Sequence, residues 1–286
     1  MTEIIDQSFD EERAFYGQRD LAVKHCRIDG PADGESAFKE CENLSVEDTF
    51  CNLRYPFWHD RHLLIRDSEM TELCRAALWY AEDVRIEHTK MHGIKALREC
   101  ADVAVSGCDI LSPEFGWMLR NVSMKDCRLE SQYMLMRSEG LRFDHVDCVG
   151  KYGFQYVKNA EFTNCTFDTK DAFWHAENVV VRDSVVKGEY LAWYSDRVTF
   201  INCRIIGTQP LCGCKHLRLV NCAMEETDLA FETSDVEAVV TTPIVSVKNP
   251  RSGIIAAPSV GAFVWDDPEA RGVVVTGGTI AAAPEA

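Results

Sequence analysis

The stretch that decides the fold repeats one pattern every nineteen residues, reading VAVSGCDI from Val103, VSMKDCRL from Val122, LRFDHVDC from Leu141 and AEFTNCTF from Ala160. Each copy runs apolar, polar, apolar, any residue, Asn/Asp/His, small, polar, apolar. Four more copies follow as VVVRDSVV, VTFINCRI, LRLVNCAM and VEAVVTTP, and earlier copies begin at Leu21, Leu44, Leu63 and Val84. Twelve copies predict a solenoid in which each copy forms one coil.

The pattern inside each copy predicts short strands separated by bends. Apolar residues at the first and third places alternate with polar ones, as a half-buried strand requires. The fifth place carries mostly Asp or Asn, which tolerate a left-handed bend. A second short strand and a third segment follow, so we expect an all-β fold: a single-stranded, right-handed parallel β-helix of about twelve coils. A left-handed hexapeptide helix would need an apolar residue at every sixth place, and the chain lacks that pattern.

The continuous repeat favours one domain over residues 1–286. We expect residues 1–20 to form an N-terminal cap, with Phe15 and Tyr16 over the open end, and residues 21–243 to form the coils. Residues 244–286 should form capping strands and end in a frayed tail from residue 281. At the sixth place, the small residues should pack inside the coil, among them Cys26, Cys108, Cys127, Cys165, Cys203 and Cys222.

Five of the six tryptophans fall at one place in the third segment, namely Trp58, Trp79, Trp117, Trp174 and Trp193. Small neighbours two residues away, such as Ala172 and Ala176, favour an inward ladder. The outward places would then carry Phe154, Tyr156, Phe173, His175 and Tyr194. The opposite arrangement stays open: the tryptophans would face solvent and His175 would lie in the core.

Composition excludes several classes of partner. A formal charge of −16 argues against nucleic acid and against an anionic membrane surface. The first residues are acidic and contain no apolar signal segment, and no apolar run approaches the roughly 20 residues that span a bilayer. We therefore expect a cytoplasmic protein whose 13 cysteines are reduced. Homo-oligomerisation stays open.

Several long motifs carry a resemblance to a known family: GESAFKE from Gly34, DTKDAFWHAENV from Asp168, GEYLAWYS from Gly188, GTQPLC from Gly207 and VSVKNPRSG from Val245. They resemble the bacterial family called domain of unknown function 3737, over nearly the whole chain. That family is similar in architecture to the pectin-lyase-like right-handed β-helices. The resemblance implies the fold and no activity.

The outward third segment is the densest candidate site. Aromatic rings stack on the apolar faces of sugars while polar groups orient them, so this face is typical of carbohydrate binding or processing. The candidate substrate-binding residues are Arg137, Tyr152, Tyr156, Phe173, Tyr190, Tyr194 and Gln209. Asp171 and Glu189 lie nearly one coil apart, so their carboxyls could approach the roughly 5–5.5 Å of retaining glycosidases. One would act as the acid, with His175 as a candidate base.

Other readings stay open, because stacked rings also stabilise a solenoid surface. The chain would then be a non-catalytic scaffold or protein-interaction module, and whether it is an enzyme stays undecided. Lyase chemistry would need a base and, beside it, a cluster of carboxylates that binds calcium. Arg137 is a conceivable base, but no such cluster lies beside it on the neighbouring coils. Cys212 and Cys214 lack a second ligand pair for zinc, and no phosphate-binding or dinucleotide motif occurs. We expect no metal site and no cofactor.

Overall fold

The computed structural model describes residues 1–30 and 35–282, and within these ranges the chain forms strands and turns but no helix. The described residues build a parallel β-solenoid of about 14 turns. They belong to two compact units, Met1–Asp147 and Cys148–Ala286. The predicted fold class is confirmed.

The first strand of each coil lies where the repeat predicts it and pairs in parallel with its neighbours in the same unit. Val84 lies beside Val103 and Val103 beside Val122 in the first unit, and Val179 lies beside Val198 in the second. These strands are Thr2–Ile5, Arg19–Lys24, Glu42–Glu47, Arg61–Arg66, Glu82–Glu87, Ala101–Ser106, Arg120–Gln132, Glu139–Lys151, Lys158–Thr163, Glu177–Arg182, Asp196–Ile201, Leu217–Glu225, Asp235–Val240, Ser252–Ala257 and Val273–Thr276.

A shorter second strand follows the bend in most coils and also pairs in parallel. Three of the ranges above are longer because the strand continues through the bend. The separate second strands are Ser8–Phe9, Arg27–Ile28, Phe50–Cys51, Glu69–Met70, Lys90–Met91, Asp109–Leu111, Thr166–Lys170, Val185–Lys187 and Arg204–Ile206. The remaining strands are Leu78–Trp79, Leu97–Arg98, Ile244–Lys248, Val260–Val264 and Thr279–Ala282.

The core is built from the first, third and sixth places of the repeat. Val179 and Val181 are fully buried, and burial of such a side chain contributes about 1.5–3 kcal/mol. The sixth-place cysteines are buried too, and their thiols reach main-chain carbonyls two residues earlier, as from Cys203 to Ile201 (3.3 Å). The predicted packing role of these cysteines is confirmed.

The fifth place forms the predicted left-handed bend. Asp183, Asn202 and Asn221 have φ of 49°, 53° and 55°. Their side chains also link successive coils: the Asn202 amide donates to Asp183 Oδ1 and the Asn221 amide to Asn202 Oδ1, both at 3.0 Å. Asn therefore has two roles here: it tolerates the bend, and its side chain forms hydrogen bonds to the same place on neighbouring coils.

The third segment is a run of turns in which alternate residues have positive φ. The φ angles are 56° at Asp171, 61° at Phe173 and 53° at His175. Because such residues break the alternation of an extended strand, side chains face in and out in pairs. Ala172 and Phe173 are buried, whereas Trp174 and His175 reach the surface.

This pairing corrects the assignment of faces. All five tryptophans at the shared place are partly exposed, so their predicted inward orientation is wrong. Phe154 and Phe173 are fully buried, so their predicted outward orientation is wrong as well. The open alternative also fails for His175, which is exposed together with the tryptophans.

The first residues form a further turn. Thr2–Ile5 pairs in parallel with Arg19–Lys24, and Thr2 lies beside Leu21. Phe15 is buried and stacks on Phe38 with ring centroids 5.1 Å apart, whereas Tyr16 is exposed. Residues 1–20 thus extend the coil instead of only capping it, and Phe15 alone of the two rings packs inside.

The parallel register continues beyond residue 243. Ser252–Ala257 and Val273–Thr276 pair in parallel, and Thr279–Ala282 then turns back antiparallel on Val273–Thr276. These strands raise the number of turns above the predicted twelve. Of the predicted frayed tail, residues 281 and 282 belong to this last strand, and residues 283–286 lie outside the described ranges.

Candidate functional site

Two stacked tryptophans form the centre of the candidate site in the second unit. The rings of Trp174 and Trp193 lie 5.4 Å apart and within 3° of parallel. Their indole N–H groups donate to the main-chain carbonyls of Tyr190 and Gln209, each at 2.7 Å. These bonds hold both rings in a fixed orientation while part of each remains open to solvent.

A second row of rings lies beside the tryptophans. His175 stacks between Tyr156 and Tyr194, with ring centroids 5.0 and 5.4 Å apart. All three residues have positive φ, so their side chains leave the backbone in the same direction. Tyr194 is 55% exposed. The predicted outward orientation of these three residues is confirmed.

A charged pair borders the rings. The Lys170 ammonium lies 2.8 Å from the Glu189 carboxylate and 5.0 Å from the centre of the Tyr190 ring. The hydrogen bond to Glu189 raises the pKa of Lys170. Tyr190 in turn meets Trp193 edge to face at 5.1 Å. Together these side chains place hydrogen-bonding groups at the edge of an aromatic surface.

Asp171 lies at the inner side of this surface and is only 4% exposed. Its main-chain N–H donates to the carbonyl of Glu189 at 2.9 Å, so the two residues are neighbours on adjacent coils. Burial raises the pKa of the Asp171 carboxyl, although the Lys170 charge acts in the opposite direction. A carboxyl that keeps its proton to higher pH is suited to act as an acid.

The other predicted binding residues are dispersed. Phe173 is 0% exposed and packs against other core rings, so a ligand at the surface would not reach it. Tyr152 is half-exposed beneath the Lys151 ammonium (5.6 Å), and Gln209 is half-exposed and supplies its carbonyl to Trp193. Arg137 is exposed in the first unit.

Sequence reasoning missed Lys170, Trp174 and Trp193 as parts of the site. Lys170 could have been found, because it lies nineteen residues before Glu189 and the register therefore makes them neighbours. The tryptophans were missed because strict alternation assigned them to the core. Only the positive φ of alternate residues brings them to the surface beside His175.

A polar groove of about 670 Å³ lies elsewhere, at the bend after the first strands of the first unit. Its charged side chains pair across coils, as between His25 and Asp48 (2.8 Å) and between His88 and Asp67 (3.6 Å). Phe50 is the one Phe, Tyr or Trp among its lining residues, and the imidazoles of His25 and His88 are paired with carboxylates. The groove therefore lacks the stacking surface that the second unit presents.

Residues 1–30 and 35–282 hold neither a metal-binding cluster nor a membrane-spanning helix. No group of three or more His, Cys, Asp or Glu side chains in these ranges is arranged to hold a metal ion. Nor do they contain a helix of the length and apolarity that crossing a membrane requires. Cys212 and Cys214 are buried, and burial raises the pKa of each thiol to about 12.

The backbone is similar to solved β-solenoids. A double mutant of the tailspike protein of E. coli bacteriophage HK620 is 10% identical with a TM-score of 0.51, covering 94% of this chain and 65% of that one. Tailspike protein 3 of bacteriophage CBA120 is 10% identical (TM-score 0.42), covering 97% and 52%. The A-module of Azotobacter vinelandii mannuronan C-5 epimerase AlgE6 is 11% identical (TM-score 0.35), covering 99% and 89%.

The chain thus spans less than two thirds of either tailspike, and identities this low show the fold alone. No curated protein matches it. The family described as protein of unknown function DUF3737 matches residues 2–275, which agrees with the motifs noted in the sequence. The chain belongs to the DUF3737 family.

Proposed function

We propose that the chain binds a carbohydrate through the second-unit aromatic face, defined as Tyr156, Trp174, His175, Tyr190, Trp193 and Tyr194. The observation that supports this most directly is the exposed stack of Tyr156, His175 and Tyr194 beside two anchored indoles. Such rings match the apolar faces of sugar rings, and the Lys170–Glu189 pair can hydrogen-bond to hydroxyl groups at the edge.

The fold itself does not require these rings. In the second unit, the place of Trp174 and Trp193 is also filled by Gln155, Cys212 and Glu232. The place of His175 is also filled by Gly213 and Thr233. Coils also form with these residues, so the clustering of rings on neighbouring coils supports a role beyond coil formation.

A finer version of the proposal gives the face a hydrolase or lyase activity. Asp171 would act as the acid, because its burial favours the protonated form. Glu189 is exposed and would supply the second carboxyl, with His175 as the alternative base. We expect Asp171→Asn to abolish any hydrolysis while changing the affinity less than about threefold, since the substitution preserves shape. Undiminished hydrolysis would remove Asp171 from the mechanism.

A second candidate function is a non-catalytic scaffold, and one observation favours it. The indole N–H groups of Trp174 and Trp193 are already satisfied by main-chain carbonyls. A purely structural row of tryptophans would have its indole N–H groups bonded within the chain, as they are here. No indole donor then remains for a ligand.

Melting temperature and calorimetric affinity should distinguish the two functions. We expect cellohexaose, chitohexaose or oligomannuronate to raise the melting temperature of the full chain. Because the places of His175 and Tyr194 have positive φ, Asn can replace either ring without backbone strain. Tyr194→Asn should weaken binding about tenfold, as expected for a lost stacking contact.

The matched control is Thr233→Asn, at the same place of a coil without such a ring, and it should bind like the wild type. If none of the three sugars binds, the scaffold function is favoured and carbohydrate binding is rejected.

A further inference from the structure

The first unit contains the same arrangement of indoles as the second. Trp58 and Trp79 stack at 5.0 Å and within 5° of parallel. Their indole N–H groups donate to the carbonyls of Ala76 (2.6 Å) and Lys95 (2.9 Å). In both units, each acceptor carbonyl lies on the next coil, three residues before the residue that occupies the place of the tryptophan there. The anchoring is therefore the same.

A histidine and a tyrosine stand beside these indoles, again in the same order. His59 stacks on Tyr80 at 4.8 Å, as His175 stacks on Tyr194 in the second unit. Both residues have φ of 61°, and Tyr80 is 40% exposed. In each unit a Trp-His pair on one coil is followed by a Trp-Tyr pair on the next coil.

The edge of the arrangement is also repeated. Tyr55 packs on Trp58 at 4.8 Å, as Tyr190 packs on Trp193, although Tyr55 lies on the Trp-His coil and Tyr190 on the Trp-Tyr coil. The Arg54 guanidinium lies 5.5 Å from the Tyr55 ring and 3.3 Å from Glu35. A tyrosine flanked by a paired cation thus borders the rings in both units.

The coils of the first unit do not need this set of residues. The places of Trp58 and His59 are filled on other coils by Lys39 and Glu40, by Arg98 and Glu99, and by Met136 and Arg137. Four rings recur in the same order and with the same stacking contacts, and a tyrosine with a paired cation borders them in both units. Because the coils fold without this set, its recurrence favours a repeated binding surface.

We propose that the first unit carries a second carbohydrate-binding site, the first-unit aromatic face, defined as Tyr55, Trp58, His59, Trp79 and Tyr80. The proposal rests on the function proposed for the second unit, because the ligand class is taken from there. The two sites are not identical: Glu40 stands at the place of Tyr156, and the edge tyrosine lies on the other of the two coils. The place of Asp171 is occupied by Tyr55 and that of Glu189 by Arg75, so the first-unit site has neither carboxyl and binds without catalysis.

Isothermal titration calorimetry of the full chain with cellohexaose and chitohexaose tests this inference. We expect two equivalents of hexaose per chain for the wild type. The double variant His59→Asn, Tyr80→Asn should bind one equivalent, and so should His175→Asn, Tyr194→Asn. The variant with all four changes should bind none. Glu99→Asn, at the same place without a ring, should keep two equivalents.

The outcomes separate the two proposals. One equivalent that is lost only in the His175, Tyr194 variant overturns the first-unit site and leaves the second-unit site intact. One equivalent that is lost only in the His59, Tyr80 variant does the reverse. Binding of neither hexaose by the wild type overturns both. Equal melting temperatures of the variants without sugar ensure that the losses do not come from unfolding.

Discussion

At the scale of the single residue, Asp60 differs from the residues that occupy the same place in other coils. Small residues fill its place in other coils, and three of them, Ser138, Ser195 and Ser234, accept a hydrogen bond from the main-chain N–H one coil earlier. Asp60 Oδ1 does the same with Cys41 N–H at 2.8 Å. Its second oxygen is buried and has no hydrogen-bond partner in the described part of the chain. The side chain is 0% exposed.

Burial raises the pKa of Asp60 to about 9, so the folded chain keeps this proton through neutral pH. The unfolded chain loses it near pH ~3.9. The contribution of Asp60 to the free energy of unfolding is therefore fully present below about pH 4 and is lost as pH rises toward 9, by up to about 1.4 kcal/mol per pH unit.

Asp60→Ser should remove this dependence, because a neutral hydroxyl can make the same hydrogen bonds as Ser195. We expect the variant to be more stable than the wild type at pH 8 by roughly 1–3 kcal/mol or more, the cost of a buried unsatisfied polar group. Urea unfolding at pH 5, 7 and 9 measures the difference, with Cys100→Ser as a neutral control at the same place. If the free energy of unfolding changed with pH in the same way for wild type and Asp60→Ser, the prediction would be contradicted.

At the scale of the element, the third segment decides the surface chemistry. It keeps main-chain hydrogen bonds between coils, alternately to the next and to the preceding one: Asp171 N–H donates to Glu189 O (2.9 Å) and Phe173 N–H to Gly153 O (3.0 Å). Positive φ at alternate residues nevertheless orients side chains in pairs. The segment therefore resembles a strand in its bonding and a series of turns in its side-chain directions.

This geometry predicts opposite costs for two aromatic substitutions. Phe173→Ala should lower the free energy of unfolding by about 3–5 kcal/mol, because it leaves a cavity in the core. Tyr194→Asn should lower it by less than about 1 kcal/mol, because the ring is exposed and loses one stacking contact. Urea unfolding of the two variants gives both values. Equal losses would mean that both rings lie on the same face.

At the scale of the whole molecule, the thirteen cysteines report on the coil interior of both units. All of them are free and buried. Burial also raises the pKa of several thiols, including Cys41 and Cys214 to about 12, so these thiols keep their protons at neutral pH. The sulfurs behave as small apolar groups inside the solenoid.

We therefore expect the native chain to react slowly with a chromogenic aromatic disulfide reagent at pH 7.5. After unfolding in guanidinium chloride, all 13 thiols should react. The absorbance of the released thiolate counts the thiols in each state. Rapid reaction of several thiols in the native chain would show that the sixth-place column is open to solvent.

The sequence by itself determined the repeat, and through it the register, the bends and the interior. A pattern that returns every nineteen residues places Val179 beside Val198 whatever the details of the loops. Asp183 and Asn202 predicted the bend because Asp and Asn adopt positive φ more readily than most residue types. The rows of Tyr156, His175 and Tyr194 also followed from the spacing, since residues one repeat apart become neighbours.

Only the tertiary structure decided which side of the third segment each residue faces. The nineteen-residue spacing fits both an extended strand and a segment with positive φ at alternate residues. The two backbone conformations differ in the directions of their side chains. Trp174 therefore joins His175 at the surface, and Phe173 joins the core. The raised pKa of Asp171 likewise depends on the tertiary structure, because the pKa of a carboxyl responds to burial and to every charge near it in space.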